Sequence, residues 1–113
     1  MEILASELRI GNWYDHNGKH CQVSPNTILE VWESPRKWVQ PIPLTPEILE
    51  KCGFKKGSIY FYFSKFRIVK INDSNNWLIL LSDTYHHLCK LKHLHQLQNL
   101  YFALTGEELN YTP

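Results

Sequence analysis

The stretch HQLQNLYFALTGEEL, His95 to Leu109, decides how the C-terminal part of the chain folds. At 3.6 residues per turn, Leu94, Leu97, Leu100, Tyr101 and Leu104 fall on one apolar arc, while His95, Gln96 and Asn99 point the other way. Thr105-Gly106 ends this helix, because glycine takes the left-handed C′ conformation at little cost. A helix with one apolar stripe needs a surface to cover, and the residues before it read as strands.

Working back from the helix, Tyr85 to Leu91, Trp77 to Ser82, Phe66 to Ile71 and Ile59 to Phe63 are rich in β-branched and aromatic residues, as strands are. Asn72 to Asn76 is a turn cluster whose side chains satisfy their own backbone, and Ser64-Lys65 suits a turn or bulge. Before them, Thr45 caps a short helix at 45–52. Pro46 fits its first position, Glu47 and Glu50 face the positive end of its dipole, and Gly53 stops it. Pro35, Pro41, Pro43 and Pro46 lack amide donors, so the link that holds them stays out of a sheet interior. Nearer the N-terminus, Asn17-Gly18 supplies the positive φ angles of a tight turn between Ile10–Asp15 and His20–Ser24. Thr27 to Glu33, with Ile28, Val31 and Trp32, reads as a further strand. The fold class is α+β: an antiparallel sheet, made of the N-terminal hairpin plus three or four further strands, packed by the C-terminal amphipathic helix.

The chain has 113 residues, the size of a single domain spanning 1–113, with 43% hydrophobic and 20% charged residues as in ordinary globular proteins. Four Trp, six Tyr and five Phe are a heavy aromatic load for that length, and each ring must be buried or must meet a partner. The formal charge of +1 gives no overall pull toward nucleic acid or acidic membranes, so any electrostatic site is local. Cys21, Cys52 and Cys89 are odd in number and lack CxxC spacing, which argues for a reducing compartment rather than a disulfide framework. The first residues lack a basic stretch followed by an apolar one, and the longest apolar run, Trp77 to Leu81, is far short of the ~20 residues that cross a bilayer. A soluble, cytoplasmic protein without membrane attachment is expected.

The segment Lys51 to Ile71 holds six basic residues, no acidic one, and interleaved rings. Lys56, Tyr60, Tyr62, Lys65 and Arg67 are its candidate nucleic-acid-binding residues, because aromatic faces on a sheet stack bases while cations neutralise phosphates. Lys56-Gly57 followed by Tyr60 and Phe63 resembles part of the sheet signature of RNA-recognition modules, but Ser58, Ile59 and the element order depart from it. The plainer reading is a half-buried strand with lysines on its solvent side. Of the six histidines, His87 and His93 with Cys89 share ligand chemistry with zinc sites, yet no second tight pair is present, and neither a metal nor another cofactor is expected. His20 beside Cys21 points to the opposite side of a strand, the carboxylate pairs sit at helix ends, and no Gly-rich phosphate loop exists. Catalysis is not expected.

The residues His95 to Leu109 also closely resemble the C-terminal signature of an uncharacterised family of small proteins from gut bacteria, their phages and prophages. A weaker similarity covers Leu8 to Asn12 and Pro41 to Phe54. The resemblance includes positions that point outward on the wheel, and it implies contact with a protein partner or a second subunit through His95, Gln96, Asn99 and Phe102. A solvated helix face is the plainer account of the same residues. The expectation is a non-catalytic, phage- or prophage-type protein-interaction module, self-associating or partner-binding, with single-stranded nucleic-acid binding by the basic-aromatic segment as the alternative.

Overall fold

Proline at 25 and the Ser24-Thr27 pair settle the first helix. In the computed structural model, which describes residues 7–33, 39–71, 76–81 and 87–113, the Ser24 hydroxyl accepts from Thr27 N at 3.3 Å and Ser24 N donates to Thr27 Oγ1 at 3.3 Å. This reciprocal cap, with proline at the first helical position, starts α1 at Pro25–Glu33, where Thr27 and Val31 one turn apart are buried. The strand expected over Thr27 to Glu33 is therefore corrected to a helix. β-Branched residues favour strands only weakly, and a capped start outweighs them.

The chain forms two compact units, each described separately. The first comprises residues 1–42 and 93–109. Its hairpin joins β1 (Trp13–His16) to antiparallel β2 (Lys19–Gln22) through Asn17-Gly18, both at positive φ, 52° and 91°. Gln40 pairs with Asp15 on the edge of β1 opposite β2, with N–O distances of 2.8 and 3.0 Å. Leu8, Tyr14, Val23, Val31 and Val39 form the core, flanked by Cys21 and Ile28. The closing helix of this unit, Leu94–Thr105, packs on β1 and ends at Gly106 with φ 74°.

The second unit comprises residues 43–92 and 110–113. Thr45 Oγ1 accepts from Ile48 N at 3.2 Å and starts α2, Pro46–Lys51, as its sequence requires. A five-stranded antiparallel sheet follows in the order β3 (Lys55–Lys56), β4 (Phe61–Phe63), β5 (Phe66–Lys70), β6 (Trp77–Leu81), β7 (His87–Leu91). Phe66, Ile68, Trp77, Ile79 and Leu91 are its buried residues among those described, Trp77 Nε1 donates to the Leu44 carbonyl at 3.1 Å, and Phe61 meets the Trp77 ring edge to face at 6.0 Å. Thr112 N bonds the Lys51 carbonyl at 3.2 Å. The architecture is α+β, with hairpin and later strands in two sheets; we number the closing helix α3. Pro35, His86 and the 72–75 part of the turn cluster lie outside the described residues. Among the described residues, no helix is long and apolar enough to cross a membrane.

Candidate nucleic-acid and partner-binding surfaces

Strand register places the basic-aromatic residues. Lys55 is opposite Tyr62, and Tyr62 is opposite Arg67, so the three stand side by side on one face across β3, β4 and β5. The neighbouring positions Phe66 and Ile68 alternate to the other face, where they are 1% and 0% exposed. The first face is left open: Lys55 and Tyr62 are exposed and Arg67 is half-buried. The Arg67 guanidinium lies 5.3 Å from the centre of the Tyr62 ring and 5.4 Å from that of Tyr60, and its Nη1 donates to the carbonyls of Phe66 at 3.0 Å and Ser64 at 3.3 Å. Two rings and two carbonyls thus hold the cation in place.

Of the five residues expected for nucleic acid, Tyr60, Tyr62 and Arg67 are gathered at this point. Lys56 and Lys65 are exposed, Lys56 next to Lys55 on the edge strand β3 and Lys65 in the two-residue turn joining β4 to β5. Tyr60 closes the turn from β3 to β4, its carbonyl accepting from Gly57 N at 2.8 Å. A Cβ on Gly57 would stand 2.7 Å from that carbonyl oxygen, so only glycine allows this approach. Where the connection from α2 passes the β4–β5 turn, a cavity of about 340 Å³ opens, lined by Gly53, Lys55, Tyr62, Phe63 and Ser64. Sequence reading missed Lys55, because its place in the row depends on a two-residue edge strand that has no apolar signal of its own.

The polar residues of α3 are placed differently from the helical-wheel expectation. His95 and Gln98 are buried, at 2% and 1% exposure, whereas Leu104 is 44% and Phe102 40% exposed. Within the first unit, Gln98 Oε1 accepts from Trp13 N at 3.0 Å. Asn99 Oδ1 accepts from Arg9 Nε at 2.9 Å and Asn12 Nδ2 at 3.0 Å, and Asn99 Nδ2 donates to the Glu7 carbonyl at 2.8 Å. Gln96 Oε1 accepts from His93 N at 3.0 Å across the helix start. The outward orientation expected for His95 and Asn99 is thus corrected. A part-buried polar network draws that side of the helix inward, because donors on the 7–13 segment that lose contact with water need acceptors.

Phe102 remains at the surface with the Arg9 guanidinium 4.3 Å above its ring. Also exposed are Leu29 at 55% and Trp32 at 74%, neighbours on the outer side of α1. Both ring nitrogens of His95 are buried without a hydrogen-bond partner among the described residues; the closest carboxylate oxygen is Glu7 Oε1 at 4.0 Å. Burial is the main cause that lowers its pKa to about 4, with Glu7 opposing and His93 assisting.

Cys52 is buried, and burial pushes its thiol up to about 12, which keeps it protonated and unreactive. The side chains of His87 and Cys89 lie outside the described residues, and among those described no group of three His, Cys, Asp or Glu is placed to hold a metal ion. No family model, no curated protein and no solved structure matches the chain.

Proposed function

We propose that this chain is a non-catalytic binding module whose ligand is single-stranded nucleic acid, held on the open face of β3, β4 and β5. The observation that carries this reading is the cross-strand row Lys55, Tyr62, Arg67, in which a ring able to stack a base lies between two cations, Arg67 able to meet a flanking phosphate and Lys55 able to meet an acceptor of the strand beside the base. Lys56 and Lys65 widen the cationic area, and no acidic residue occurs from Lys51 to Ile71. The test is fluorescence anisotropy of a labelled single-stranded oligonucleotide over a range of salt. Affinity should fall steeply with salt, and Arg67→Ala or Lys56→Ala should each reduce the log–log slope by about 1. Tyr62→Ala should weaken binding about tenfold, in line with a lost stacking contact of ~1–3 kcal/mol. An anisotropy that stays flat at low salt removes the reading.

A second reading, contact with a protein partner or another copy of the chain, is favoured by Trp32 and Leu29 on α1 and by Phe102 and Leu104 on α3, all large apolar side chains that stay exposed. It keeps Phe102 from the expected set and leaves Gln96, His95 and Asn99 to the helix start and the interior. Sedimentation of the pure protein tests self-association, and a pull-down from the native host tests a partner. A cytoplasmic setting and a phage or prophage origin belong to this proposal, supported by the cysteine usage and by the resemblance of the closing helix.

A further inference from the structure

The cavity beside the cation–aromatic row has its own construction. Its volume of about 340 Å³ is at the small end of ligand sites. Tyr62 and Phe63 supply aromatic walls. Gly53 keeps one side bare, since at φ +96° a side chain is disfavoured and a Cβ would stand 3.3 Å from Phe63 Cε1. Ser64 at the rim holds φ 53°, a left-handed conformation uncommon outside glycine, and such conformations gather at ligand sites. Among the described residues, Lys55 is the one cationic side chain in the lining, and none of the lining side chains is a carboxylate or an amide. The site is thus aromatic, small and dominated by a cationic donor.

We infer that this cavity is a subsite for one unstacked purine of the bound strand and selects guanine over adenine. The inference rests on the single-strand reading above. Guanine presents two adjacent acceptors, O6 and N7, to a lysine ammonium, whereas adenine places an amino donor next to N7 and repels it. Stacking on Tyr62 is equal for both purines, so the choice falls to Lys55. Arg67, beyond Tyr62 in the row, takes the neighbouring phosphate.

The experiment measures binding of labelled uridine hexamers that carry one central purine, at low salt. Guanine and inosine, which both have O6 and N7, should bind about fivefold to tenfold more tightly than adenine and 7-deazaguanine, which lack one of the two. Lys55→Met should abolish that difference while leaving residual binding of all four hexamers. Tyr62→Ser should weaken all four. Both side chains are exposed, and circular dichroism checks that the variants fold. Equal affinity for the four hexamers, or discrimination that survives Lys55→Met, overturns the subsite and leaves the single-strand reading in place. Failure of every hexamer to bind at low salt overturns both. If an acidic, aromatic-containing peptide binds in a Tyr62-dependent way while the hexamers do not, the cavity is a protein-docking site instead and the inference is wrong.

Discussion

Arg9 and Glu108, 99 positions apart in sequence, form a two-pronged ion pair with Nη1–Oε1 at 2.6 Å and Nη2–Oε2 at 3.3 Å. The pair is partly exposed, at 29% and 45% for the two side chains, so its charge attraction contributes less than ~1 kcal/mol. The same guanidinium also donates to Asn99 Oδ1 and to the Gln98 carbonyl, and it covers the Phe102 ring. Arg9→Ala should therefore destabilise the protein by about 2 kcal/mol and Glu108→Ala by only about 0.5 kcal/mol. Arg9→Lys should not restore the loss, because lysine lacks the planar fork. Urea unfolding measures all three, and equal losses for Arg9→Ala and Glu108→Ala would show that the ion pair is the whole of Arg9's contribution.

Asn99 serves two donors and one carbonyl at once, and its neighbour Asn12 is fully buried. Asn99→Ala leaves Asn12 Nδ2 and the Glu7 carbonyl with one partner fewer, and Asn12 has no surface exposed through which solvent replaces it. A loss of about 1–3 kcal/mol is expected, as for other buried groups stripped of a partner. If Asn99 instead serves an outside partner, the substitution leaves the urea midpoint unchanged.

His95 makes stability depend on pH in a direction that can be worked out. An unperturbed histidine titrates near 6.5, and in the folded chain burial lowers this to about 4. Between those values the unfolded chain binds a proton that the folded chain refuses, so stability falls as pH drops through the window from 6.5 to 4 and levels off on either side. The full effect is on the order of 3 kcal/mol for a side chain this well buried. His95→Phe removes the titrating group and breaks no hydrogen bond among the described residues, since neither ring nitrogen has a partner there. The difference in unfolding free energy between the parent and His95→Phe should therefore shift in the variant's favour from pH 7.5 to pH 4.5. A constant difference across that range would mean that the folded chain accepts the proton.

Caps and turns were the most legible parts of the sequence. Thr45-Pro46, Asn17-Gly18 and Thr105-Gly106 each set local backbone geometry through their own chemistry, and each stands where it was expected. Burial on α3 was less legible. A hydropathy wheel sends His95 and Asn99 to solvent, but it does not register that Arg9 and Asn12 need Asn99 or that Trp13 N needs an acceptor from the same helix. The helix over Thr27 to Glu33 is hidden in the sequence because its β-branched residues suggest a strand, while the Ser24–Thr27 cap that decides for a helix is a contact between side chains and backbone. The basic-aromatic segment was visible as composition. Its row of Lys55, Tyr62 and Arg67 depends on the register set by the Ser64-Lys65 turn, where a shift of one residue would put Tyr62 on the buried face.

Trp32 and Ser24 belong to one short helix and should behave in opposite ways. Ser24 caps α1 through Thr27, and its replacement by alanine should cost about 1 kcal/mol because a start-of-helix donor loses its acceptor. Trp32 is 74% exposed, so Trp32→Gln removes little buried surface and should change folding stability by less than about 0.5 kcal/mol. Its effect should appear in association instead. If Trp32 and Leu29 form a contact surface, Trp32→Gln shifts sedimenting assemblies toward monomer, or releases a captured partner, at unchanged thermal midpoint. Ser24→Ala lowers the midpoint while leaving the same contact in the remaining folded protein. If both variants instead lower the thermal midpoint alike and leave association untouched, Trp32 belongs to the packing of α1 and the contact surface must lie elsewhere.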